Sequence, residues 1–85
     1  MKFYTVHEGQ SLNDMDHVLG HYRKFEDAKR AFDDGVERMQ SNIELCWDGF
    51  EVEHPRENDV IFWYVVDGER ADDWESVWIT EEELQ

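Results

Sequence analysis

The most regular pattern in the chain is helical. In "FEDAKRAFDDGVERMQSNI", Phe25, Ala28, Phe32, Val36, Met39 and Ile43 recur at spacings of three and four. That spacing sets them on one stripe of an α-helix and predicts a helix from about Phe25 to about Ile43. Glu26 and Asp27 fall in its first turn, at the positive end of the helix dipole. Glu26 with Arg30, and Asp34 with Arg38, are i,i+4 pairs in the favourable orientation, a few tenths of a kcal/mol each. Gly35 costs about 1 kcal/mol relative to alanine in a helix and suits close approach to a sheet.

Elsewhere the period is two. "MKFYTVH" alternates and predicts a strand from Lys2 to His7. "EGQSLNDMD", with Gly9, Ser11, Asn13 and Asp14, reads as a loop. "HVLGHY" fits either a short strand pairing with the first or a helical turn, interrupted at Gly20. After the helix, "FEVEH" alternates, with Phe50 and Val52 inward and Glu51 and Glu53 outward. His54 and Pro55 are expected to end that strand, because proline lacks a donor and restricts its predecessor. "VIFWYVV" is rich in β-branched and aromatic residues and predicts a central strand, with Trp63 in the core. Asp67 and Gly68 begin a turn, and the polar run to Asp73 suggests a longer hairpin loop.

"WESVWIT" is the last predicted strand, expected at an edge. Trp74, Ser76 and Trp78 share one of its faces; Glu75, Val77 and Ile79 share the other. "EEELQ" reads as a short helical or frayed tail. The fold class is therefore α+β: an antiparallel sheet of about four strands, with one main helix packed on a face, in the order β-α-β-β-β.

Length places all of residues 1–85 in a single domain near the lower limit for one hydrophobic core. Aromatics at 14% separate the chain from disordered acidic sequences. Cys46 is the only cysteine, which rules out an internal disulfide and points to a reducing cytoplasm. "MKFYTVHEGQ" has no apolar core of a signal peptide. The longest apolar run, "VIFWYVV", has seven residues, against about 20 for a membrane-spanning helix.

Charge changes the picture most. The net charge is −14, and it is uneven: residues 1–43 carry eight acids and six bases (−2), residues 44–85 fourteen acids and two bases (−12). Such a field repels nucleic acid and anionic membranes and attracts basic protein surfaces. The expectation is that these carboxylates gather in one outward patch.

The candidate chemistry is sparse. His17 and His21 would form an i,i+4 pair on a helix, a spacing that can hold zinc with a third ligand. No further metal motif supports this, so no metal or cofactor is expected. Cys46 lacks the histidine partner and electropositive setting of a reactive thiol, and reads as a small buried hydrophobe. Glycine-rich phosphate loops and nucleophile motifs are absent from the sequence, and no enzyme is expected. Trp74 and Trp78 either pack under the helix or stand exposed, ringed by Asp72, Asp73 and Glu75. In the second case they form a protein-binding surface.

The predicted partner-binding residues are Asp67, Glu69, Asp72, Asp73, Trp74, Glu75 and Trp78, with Glu51 and Glu53 on the neighbouring strand. In its length, its −12 half from Glu44 to Gln85 and the stretch "DDWESVWITEEE", the chain resembles the small acidic DNA-mimic inhibitors of bacteriophages and mobile elements, including anti-CRISPR and anti-restriction proteins. The resemblance implies an inhibitor in the host cytoplasm. It would bind a basic, nucleic-acid-binding surface of a CRISPR or restriction effector and block DNA binding or activity. The alternative is an interaction module or homodimer that uses the aromatic sheet face without mimicry.

Overall fold

The computed structural model describes residues 1–11 and 15–83. The predicted loop residues Asn13 and Asp14, and Leu84 and Gln85 of the predicted tail, lie outside them. The elements are β1 (Lys2–Gln10), β2 (Met15–Tyr22), α1 (Phe25–Cys46), β3 (Phe50–Arg56), β4 (Asp59–Val66) and β5 (Glu69–Glu83). The five strands form one sheet in the order β2-β1-β5-β4-β3, and every neighbouring pair is antiparallel.

The α+β class holds, with five strands in place of about four and the order β-β-α-β-β-β. The extra strand is "HVLGHY". Gly20 does not end it, but the pairing with β1 shifts register beside it, from Val6 opposite Gly20 to His7 opposite Val18, and the position makes room for an aromatic ring: a Cβ there would meet the Tyr22 hydroxyl at 2.6 Å. β1 also runs further than predicted and takes in Gly9.

The expected edge strand is the centre of the sheet. β5 lies between β1 and β4 and spans 15 residues, about 50 Å at the rise of a strand, which matches the 48 Å long axis of the molecule. It starts early because Asp67 and Gly68 form the whole turn, with φ of 52° and 81°, the left-handed pair that a two-residue hairpin requires. The polar residues 69–73 pass into the strand. Register then shifts, with Trp63 opposite Trp74 but Val65 opposite Arg70. Three β5 residues, Ala71, Asp72 and Asp73, thus face Tyr64 alone, a bulge that absorbs the polar run. At the other end Glu81, Glu82 and Glu83 continue the strand beside β1 and form no helix. Pro55 does not end β3, because β3 is an edge strand where no ladder donor is needed.

The helix packs against β5, β1 and β2. Its buried stripe is Ala28, Phe32, Gly35, Met39 and Ile43, which meets Val6, Val60, Phe62 and Val77 of the sheet. Phe25 remains exposed at the helix start, edge-on to Tyr4. Val52 lies on the helix side but is 45% exposed, on the edge strand farthest from β1 and β2. Cys46, expected buried, is exposed at the last residue of α1. Among the described residues, the i,i+4 ion pair on the helix joins Lys29 and Asp33, at 3.1 Å, in place of the predicted Glu26–Arg30 and Asp34–Arg38.

Gly35 marks a close helix–sheet approach. A Cβ there would sit 3.2 Å from Leu19 Cδ1 and 3.5 Å from Val77 Cγ1. Alanine gains helix propensity and asks only that the Leu19 methyl shift. Leucine must lift the helix from β5, so Gly35→Leu is expected to lose about 1–3 kcal/mol in urea denaturation. An unchanged midpoint would show that the helix sits further from the sheet.

Candidate protein-binding face

Alternation along each strand assigns the second sheet face, which no described element covers. On β5 it carries Trp74, Ser76, Trp78, Thr80 and Glu82; on β4, Asp59, Ile61 and Trp63; on β1, Phe3, Thr5, His7 and Gly9. Trp63, predicted in the core, is therefore on this open face, directly opposite Trp74. The sequence could not show this, because "VIFWYVV" is apolar at every position and its alternation has no sign.

The aromatics of this face are half-buried, and among them Thr5 is 1% and Ser76 5% exposed. Trp78 stacks on His7, with ring centres 5.1 Å apart and planes 6° from parallel. Its ring reaches over Gly9, where a Cβ would lie 3.1 Å from the indole. His7 Nε2 and Thr80 Oγ1 are hydrogen-bonded at 2.8 Å. The Thr5 hydroxyl donates to Glu82 Oε2 at 2.9 Å. Having one proton, it must accept from His21 Nδ1 at 3.0 Å, which places a proton on that ring nitrogen. These bonds tie β1 to β2 and to β5 across this side of the face.

On the β3 side, Arg70 lies over the Trp63 ring at 4.9 Å. Its Nη1 donates to Glu53 at 3.0 Å, and Nη2 pairs with Glu51 at 3.3 Å. The Trp63 indole N–H donates to Glu53 at 3.2 Å. Between these two sides Arg56, Asp59, Ile61, Trp63, Trp74, Ser76 and Trp78 line a hollow of about 340 Å³. Burial raises the pKa of Asp59, and the nearby Arg56 charge opposes that rise.

Of the predicted site residues, the structure brings Trp74, Trp78, Glu51 and Glu53 onto this one face. Asp67 and Glu69 are at the hairpin tip, and Asp72 and Asp73 in the bulge. Asp73 accepts from the Ser11 hydroxyl at 3.4 Å, and Ser11 Oγ in turn accepts from the Trp74 N–H at 2.8 Å. Glu75 is not part of the ring around the tryptophans. It is in register with Phe62 and Gln10, on the helix side.

The carboxylates of the later half do not make one unbroken patch. Asp72 and Glu82 stand at opposite ends of β5, about 30 Å apart along the strand, with the tryptophans between them. Lys2, from the earlier half, pairs with Glu81 at 3.8 Å. Sequence reasoning missed His7, Asp59, Ile61, Trp63, Arg70 and Glu82, which only strand pairing brings to this face.

The Glu75 carboxyl is raised above its ordinary value, first by burial and then by the charge of Glu8. A carboxyl raised in the folded state binds more protons folded than unfolded, so stability falls as pH rises through the window above about 4.5. Glu75→Gln is therefore expected to raise the melting temperature at pH 7 and to leave it unchanged at pH 4. Equal melting temperatures at pH 7 would rule out this burial effect.

His17 and His21 do not form a helical pair. They lie in β2 in register with Glu8 and Thr5, on opposite faces of the sheet. Among the described residues no group of three or more His, Cys, Asp and Glu is placed to hold a metal ion, and no helix is long and apolar enough to cross a membrane. Comparisons with protein-family models, with curated proteins and with solved structures gave no match.

Proposed function

We propose that this protein is a binding protein, not a catalyst, and that it docks its open sheet face onto a basic surface of a nucleic-acid-handling protein. The observation that carries this reading is the cluster of Trp63, Trp74 and Trp78 on an uncovered sheet face, in a chain of net charge −14. Large aromatics framed by charge supply the contact energy of protein interfaces. The negative field speeds encounter with a cationic partner. In the setting that the sequence resemblance implies, the partner is a CRISPR or restriction effector and the outcome is loss of its DNA binding. The carboxylates at the two ends of β5 then flank the aromatic contact and do not act as a continuous copy of a DNA backbone.

The test is competition for DNA on such effectors, at low and high salt. The protein is expected to displace DNA, with potency that falls as salt rises. Glu69→Lys with Asp72→Lys, both at exposed positions, should slow association by about tenfold while leaving the fold unchanged. Displacement that ignores both salt and the reversals would remove charge from the mechanism. A second copy of the chain is the competing occupant of the face, though two such negative chains repel. Light scattering showing a dimer that buries the tryptophans would favour it.

A further inference from the structure

The hollow on the open face has a chemistry of its own. Trp74 and Trp78 are four residues apart on one strand, about 13 Å at strand rise, and the residue between them on that face is the small Ser76. Trp78 leans away from β4, held by its stack on His7 and its reach over Gly9. This leaves space between the two indoles, with Ile61 opposite Ser76 and Trp63 opposite Trp74. The Asp59 carboxylate stands opposite Trp78 on the β4 side.

The volume, about 340 Å³, is at the low end for ligand sites and fits one long side chain. Indole faces attract cations, and a planar guanidinium stacks on them better than an ammonium does. The molecule already uses this contact once, where Arg70 lies 4.9 Å from the Trp63 ring with Glu51 and Glu53 as its counter-ions. Asp59 would play the counter-ion part in the hollow. Arg56, in register with Asp59 across the β3–β4 turn, is the positive neighbour that an incoming cation must displace towards solvent.

We propose that the hollow between Trp74 and Trp78 is a seat for an arginine side chain of the partner, with its guanidinium stacked on indole and paired with Asp59. This rests on the proposed docking of the same face and identifies the group on the basic partner that enters it.

The probe is n-butylguanidinium, titrated into the full chain while the indole N–H resonances are followed by NMR, with n-butylamine and the neutral isostere n-butylurea as controls. Saturable shifts of the Trp74 and Trp78 indoles are expected, with n-butylguanidinium bound about tenfold more tightly than n-butylurea. Asp59→Asn should weaken the guanidinium several-fold and leave n-butylurea unchanged. Equal binding of n-butylguanidinium and n-butylurea, or shifts confined to the Trp47 indole, which packs against Tyr64 on the helix side, would overturn the seat. So would n-butylamine binding as tightly as n-butylguanidinium.

An arginine-rich and a lysine-rich peptide of equal charge separate this from the docking reading. Binding of the arginine peptide in preference, with the same indole shifts, supports both. Equal binding of the two peptides without those shifts keeps a basic partner and removes the seat. Guanidinium binding with neither peptide bound keeps the seat and removes the docking surface.

Discussion

Phe62→Ala is expected to abolish most of the stability of this protein. Phe62 is 1% exposed at the centre of the helix-side core, edge-on to Phe50 with ring centres 5.7 Å apart. It packs in one cluster with Val60, Val77, Met39 and Ile43. Truncating a buried phenylalanine loses its transfer free energy and leaves a cavity, about 3–5 kcal/mol together. A domain of this size has few alternative contacts with which to collapse the gap, and total stability is typically only about 5–15 kcal/mol. Urea denaturation followed by tryptophan fluorescence and by far-ultraviolet circular dichroism measures the loss. A change below about 1 kcal/mol would mean that the helix does not close over β4 as described.

Trp74→Ala is expected to have the opposite profile, with a small effect on folding and a large one on partner binding. Its indole faces Trp63 on the open sheet face, and a cross-strand aromatic pair contributes only about 0.2–1 kcal/mol to the sheet. Its backbone bonds to Ser11, from the Trp74 N–H to Ser11 Oγ and from the Ser11 N–H to the Trp74 carbonyl, survive truncation. If the open face is the docking surface, removing a central tryptophan should weaken binding by about 2 kcal/mol or more, roughly thirtyfold, mostly as faster dissociation. Surface plasmon resonance with the captured effector reads this directly. Equal dissociation rates for the variant and the parent, with the fold intact, would move the interface off this face.

Much of the fold was legible in the residues. The α1 stripe was readable because a helix repeats every 3.6 residues and half its circumference must be polar. The two faces of "WESVWIT" were readable because Glu75 and Ser76 break the apolar run. "HVLGHY" was not, since six residues with an internal glycine carry no decisive period; pairing with β1 made it a strand. Cys46 was misplaced because the helix extends three residues beyond Ile43, which turns the thiol out past the end of the sheet contact.

The candidate site was legible only in part. Trp74 and Trp78 were identified together, and their shared face was correct. Glu75 was grouped with them by proximity in sequence, although neighbouring strand residues point to opposite faces. Trp63, His7 and Asp59 are brought to the site by hydrogen-bonded register with β5, a relation between distant segments that no local pattern encodes.

From its residues alone, then, this chain determined one amphipathic helix, a set of alternating strands and a strongly negative later half, because period and charge are properties of neighbouring positions. Only the tertiary structure decided that β5 is central, that three tryptophans share an uncovered face, and that Asp72 and Glu82 stand at opposite ends of its central strand. Strand order and register follow from which pairings bury Phe62, Val77 and Val6 beneath the helix at the same time, and that condition involves the whole molecule.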